Sequence, residues 1–121
     1  MSQKLFSISS TDPPGAPKMP KVSDVDATEM TVTWSPPESD GGSPVTGYII
    51  EKKVKTATRW SKVNKEPVPE TTLRVQELIQ GEKYMFRVAA VNNAGQGPFS
   101  EMSKPVVAKP PYGKSKVNLS Q

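Results

Sequence analysis

The stretch WSPPESDGGSPVTGYIIEKK, residues 34–53, decides the fold. Two runs suited to a β-sheet flank a loop that holds three prolines and two adjacent glycines. A phosphate-cradling glycine loop leads into a helix, whose free amides and dipole face the anion. Here the glycines lead instead into GYIIEKK, and Pro44 removes an amide hydrogen that such a site would need. Pro36 and Pro37 are expected to end one strand, and Asp40, Gly41 and Gly42 to turn the chain in left-handed backbone. The loop reads as a corner.

Working outward, period-two alternation recurs and helical periodicity does not. MTVTW puts Met30, Val32 and Trp34 on one face, and GYIIEKKV puts Tyr48 and Ile50 opposite Ile49 and Glu51. TTLRVQEL aligns Leu73 with Val75, and KYMFRVAAVN aligns Tyr84, Phe86, Val88 and Ala90. MPKVSDV reads as a first strand, irregular because of Pro17 and Pro20, RWSKVN as a short mixed one and KPVVAK as the last. Seven short strands with turn signals between them predict an all-β sandwich. Its expected core is Trp34, Tyr48, Ile50, Leu73, Val75, Leu78, Tyr84, Phe86 and Val88; Trp60 either caps it from the edge, the favoured reading, or lies partly exposed as an interaction anchor.

The chain of 121 residues fits one domain and contains neither cysteine nor histidine. Disulfides, thiol nucleophiles and imidazole acid–base chemistry are thereby excluded, and no catalytic residue, metal or cofactor is expected. Ser35 and Ser43 have no histidine to activate them. Asp24, Asp26 and Glu29 lack the spacing of a calcium loop and fall where a turn is expected. No apolar run has the length of a membrane span or of a signal peptide, which favours an intracellular setting. The thirteen prolines suit short strands with stiff connections.

Net charge is +4, and the densest basic group is Lys52, Lys53, Lys55, Arg59, Lys62 and Lys65. Lysines on a strand pair keep an edge soluble and unpaired. They also form the candidate partner surface, whose charge suits an acidic protein, a heparin-like sugar or nucleic acid; an acidic protein is the expected partner, with neither nucleic acid nor membrane.

SPP after Trp34, GYIIEKK, LIQGEKYMFRVAAVN and NNAGQGPFSE together resemble a fibronectin type III domain over residues 13–109. The runs DPPG (12–15), DGGSP (40–44) and VVAK (106–109) are similar to modules of titin-like giant sarcomeric proteins. Residues 1–12 and 110–121 are then tails or linkers; the first holds Leu5, Phe6 and Ile8 as weak anchors, the second a glycosylation sequon at Asn118. The resemblance implies a seven-stranded immunoglobulin-like sandwich and a monomeric module strung between immunoglobulin or fibronectin type III neighbours. It also implies a place in the cytoplasm at the sarcomeric A-band, in thick-filament scaffolding and force transmission, with myosin or other thick-filament proteins as partners. An extracellular adhesion or receptor module is the alternative. Against it, the loop Asn92-Asn93-Ala94-Gly95-Gln96-Gly97-Pro98 lacks the Arg-Gly-Asp tripeptide, and GPFSEMS, in the place of a receptor WSxWS box, has neither tryptophan.

Tyr84, shortly after Leu78 and Gly81, resembles a tyrosine corner, whose hydroxyl bonds backbone just upstream. Strand counting puts the loops at 36–44 and 92–98 at the N-terminal pole. It puts those at 55–58 and 79–82 at the C-terminal pole.

Overall fold

The computed structural model describes residues 11–111, within which no helix occurs and eight strand segments build two antiparallel sheets. In chain order they are β1 (Lys21–Ser23), β2 (Met30–Thr33), β3 (Gly47–Val54), β4 (Ser61–Lys62), β5 (Thr72–Val75), β6 (Lys83–Asn92), β7 (Gly95–Phe99) and β8 (Val106–Val107). One sheet has the order β1-β2-β5; the other runs β4-β3-β6-β7, with β8 also on β6. The sequon at Asn118 and the anchors Leu5, Phe6 and Ile8 lie outside the described residues.

β3 lies along one edge of β6 from Gly47↔Val91 to Val54↔Tyr84. β7 and β8 must therefore share the other edge, β7 by Ala89 to Asn92 and β8 by Lys83 and Tyr84. They are two pieces of one strand position, so seven positions remain. Between them the chain leaves the ladder, and serine hydroxyls replace backbone acceptors. Val88 N–H donates to Ser100 Oγ at 3.1 Å and Phe86 N–H to Ser103 Oγ at 3.0 Å. Those bonds keep buried amides of β6 satisfied across the gap. They also give GPFSEMS a structural use that needs no tryptophan.

The alternation seen in the sequence sets the inner faces. Trp34, Tyr48, Ile50, Val75, Leu78, Tyr84, Phe86 and Val88 are buried in one cluster, joined by Met30, Val32, Ala90 and Ala108, while Leu73 is half-buried against it. Trp34 and Tyr48 meet edge to face, with ring centroids 5.5 Å apart, a favoured aromatic geometry. Arg74 on β5 ties the turn after β1: its Nε donates to Glu29 at 3.0 Å and Nη1 to the Asp24 carbonyl at 2.6 Å. Glu29 is thus engaged by a guanidinium, and the acidic group around it is a turn.

Two expectations are corrected. The loop expected over residues 92–98 is a tight hairpin, because β7 begins at Gly95, paired with Asn92. Glycine and proline there suggested a loop, but ladder bonds come from β6, whatever the propensity of the segment. Trp60 does not cap the inter-sheet core. It is half-buried against Arg87, whose guanidinium lies 4.4 Å from the indole centroid. Arg87 alternates with the core residues Phe86 and Val88, so this stack is on the outer face of the larger sheet.

Candidate functional site

The module offers three places where function can sit: its two poles and its outer face. At the first pole the opening loop cradles the chain itself. Gly41 and Gly42 have φ of 76° and 102°, as the expected left-handed turn requires. Asp12 N–H donates to Gly41 O and Gly15 N–H to Ser39 O, both at 2.9 Å. A β-carbon at Gly41 would collide with the carbonyl oxygens of Asp12 and Pro13, and one at Gly97 with that of Pro14. Residues 12–14 are thus a strap held between two glycines, with Pro14 fully buried.

Asn92, the last residue of β6, is the latch. Its side chain is buried, and Nδ2 donates to the carbonyls of Asp12 at 2.8 Å and Asp40 at 2.7 Å. Oδ1 accepts from Ala94 N–H at 2.8 Å, which fixes the β6–β7 turn. One amide therefore joins the strap, the opening loop and the hairpin. An asparagine before a turn reads as a turn residue, and nothing in the sequence announced its reach across eighty positions to Asp12.

At the other pole Ile79 N–H donates to Tyr84 Oη at 2.8 Å, the bond of a tyrosine corner. Gly81, at φ 95°, donates its N–H to Ala108 O at 2.8 Å, and Ala108 N–H donates to Glu82 O at 3.0 Å. The outgoing chain is thereby tied to the turn at the start of β6. Ile79 is exposed beside it. Ten-residue β6 separates the two poles by roughly 30 Å at about 3.3 Å per residue.

The basic group does not form one surface. Glu51 pairs with Lys62 and Lys52 with Ser61 in the β3–β4 register, so Lys62 shares the face of Glu51 and Lys53. That face is the outer one. Lys52 stands opposite Phe86 on the inner side, at the mouth of a cleft of about 380 Å³ bounded also by Lys62, Leu73, Arg74 and Glu77. Lys55 and Arg59 are exposed in the β3–β4 connection, and Lys65 is exposed beyond β4.

On the outer face Arg87 sits between two rings, 4.4 Å from Trp60 and 4.1 Å from Phe99. Glu51 Oε1 accepts from both Nε (3.0 Å) and Nη2 (2.7 Å) of this arginine. Lys53 Nζ lies 5.6 Å from the Trp60 ring and donates to Ala57 O at 2.9 Å. The available signal was β6 itself. Met85 and Ala89, on its outward side, are apolar and are buried, as is Ile49 beside them. A strand apolar on both sides is covered on both sides.

A family model for the fibronectin type III domain matches residues 15–106. Cardiac-type myosin-binding protein C of Mus musculus is 39% identical over 111 residues, 92% of this chain but 9% of that protein. The solved titin domains A168–A170 are 43% identical, with a TM-score of 0.78, over 81% of this chain and 33% of theirs. Titin module A71 from human cardiac muscle is 36% identical, with a TM-score of 0.68, over 84% and 95%. The chain thus spans under a tenth of the length of the first of these relatives.

Proposed function

The chain belongs to the fibronectin type III family, and from that membership we propose that it is a structural link of a sarcomeric multi-module protein. It carries out no catalysis, keeps its neighbouring modules in line, and passes tension from one end to the other. The relatives that support this reading are modules of titin and of a protein named for binding myosin. Its place is then the sarcomere, along the thick filament in the A-band, with adjoining modules and thick-filament proteins as partners.

One observation carries the reading: the chain enters at one pole, clasped by Asn92 and the glycine loop, and leaves at the other through Ala108. A clasped entry fixes the direction of the linker, and prolines on both sides stiffen it further. A head-to-tail tandem of two copies of residues 11–111 tests this by small-angle X-ray scattering. The native tandem should be extended with a narrow spread of shapes, and Asn92→Ala should broaden that spread. A native tandem that scatters like two freely jointed modules would overturn the proposal.

A further inference from the structure

We propose that the groove between Gly41 and Gly97 is a peptide-binding site, filled at rest by the chain's own residues 12–15 and open to the proline strap of a second copy once that strap is pulled away. The resting occupant defines the chemistry of the ligand. Asp12 N–H donates to Gly41 O and Gly15 N–H to Ser39 O, both at 2.9 Å. Between these donors stand Pro13 and Pro14, which have no N–H to place. Asp12 O accepts from Asn92 Nδ2 at 2.8 Å, and the Pro14 ring is fully buried. A ligand must therefore present backbone donors three residues apart, need no acceptor between them, and bury a proline ring. Asp-Pro-Pro-Gly meets these conditions, and a residue before proline is already biased to extended backbone, which lowers the cost of ordering it. A β-carbon at Gly41 or Gly97 would strike a strap carbonyl, so the walls admit the strap backbone only because both are glycine.

The groove keeps its shape without the strap. Asn92 Nδ2 still donates to Asp40 O at 2.7 Å, and Oδ1 still accepts from Ala94 N–H at 2.8 Å. Asp40 Oδ1 accepts from Gly42 N–H at 2.9 Å and Ser39 Oγ from Gly41 N–H at 3.2 Å, so the loop is held by its own side chains. An empty groove lacks only the two donors and the ring, leaving the carbonyls of Ser39 and Gly41 without their strap partners. A strap from a second copy restores each of those bonds. At rest the tethered strap acts at an effective concentration on the order of millimolar or more, so a free strap competes poorly. A pull on the incoming chain would remove that advantage and let two copies exchange straps, a link that forms under load. The gating by tension rests on the structural role proposed above; the groove itself does not.

The experiment titrates the full 121-residue chain with the synthetic peptide Thr-Asp-Pro-Pro-Gly-Ala-Pro, residues 11–17, read by amide chemical shifts. In Pro14→Asp a charge replaces the buried ring, so the chain's own strap should leave the groove while every wall residue is unchanged. This variant should bind the peptide saturably, with shifts at Ser39, Gly41, Gly97 and the Asn92 side-chain amide. The native chain should bind it at least about tenfold more weakly, because its own strap competes. Polyproline of equal length, which has neither donor, should also bind the variant at least about tenfold more weakly. Adding Gly97→Ala to Pro14→Asp should abolish binding. A second measurement needs no variant. The native chain, held by its ends in optical tweezers and relaxed after its strap has detached, should recover the strap more slowly as peptide is added. Equal binding by the native and Pro14→Asp chains would overturn the proposal, as would polyproline binding as tightly as the strap peptide. So would recovery of the strap at a rate that peptide leaves unchanged. Peptide binding by a chain whose tandem scatters as freely jointed modules would sustain the groove while removing the load-bearing role.

Discussion

The indole of Trp34 lies in the core, yet its Nε1 is buried with no hydrogen-bond partner among the described residues. An unsatisfied buried donor costs about 1–3 kcal/mol, which offsets part of what the ring contributes by packing. Trp34→Ala should therefore cost about 3–5 kcal/mol, a large share of the stability of a small domain. Trp34→Phe removes the orphaned donor together with some volume, and its cost should stay below about half that figure. Urea denaturation followed by circular dichroism measures both, and equal losses would show that the donor is satisfied in solution. Tyr48, stacked on this indole, has its hydroxyl pKa raised above the ordinary 10.0 by burial. The unfolded chain then ionises this phenol before the folded one does. Its contribution is complete below pH 10 and is lost as pH climbs through the raised folded value. Measured at a series of pH values, the urea midpoint of the native chain should fall above pH 10 relative to that of Tyr48→Phe, which has no such group. Parallel curves would refute the assignment.

Elements differ in how far the sequence alone exposes them. β2, β3, β5 and β6 announce themselves because each buries one face, and a half-buried strand must alternate. β7 stayed hidden because Gly95, Gln96, Gly97 and Pro98 have poor strand propensity, and its existence depends on the free edge of β6. β4 is only two residues long, and the edge beyond it is completed by a side chain. Asn64 Oδ1 accepts from Ile50 N–H at 2.8 Å, and Nδ2 donates to Tyr48 O at 2.9 Å, as a neighbouring strand would. Side chains that imitate backbone, at Asn64, Asn92, Ser100 and Ser103, have no periodicity to betray them. The outer stack was missed for another reason. Trp60 is as apolar as a core residue, and only the position of Arg87 across the sheet shows that the ring belongs outside. Alternation along β3 already puts Lys52 and Lys53 on opposite faces, but the β3–β4 register was needed to place Lys62 opposite Glu51.

At the scale of the whole molecule, a force applied to the two ends of the domain would run from the strap to β8, so the weakest ties along that line should yield first. The strap is held by the bonds of Asp12 and Gly15 and by the Asn92 amide, and the chain behind it by only the three register pairs of β1. The core ladder between β3 and β6 has eight pairs and lies beyond it. Pulled from its ends with optical tweezers, the chain should give a small early extension before the main unfolding event. Each freed residue adds at most about 3.3–3.6 Å. Gly97→Ala pushes a β-carbon into the Pro14 carbonyl, so the strap should detach at lower force while the main event keeps its force. Gly81→Ala is the opposite case: its surroundings are open, but φ of 95° strains any residue with a β-carbon. Its cost of about 1 kcal/mol falls on the folded sandwich as a whole. That variant should lower the main event and leave the early step where it is. If Gly97→Ala leaves the early step unmoved, the clasp bears no load, and a module joined to this pole would swing on its linker.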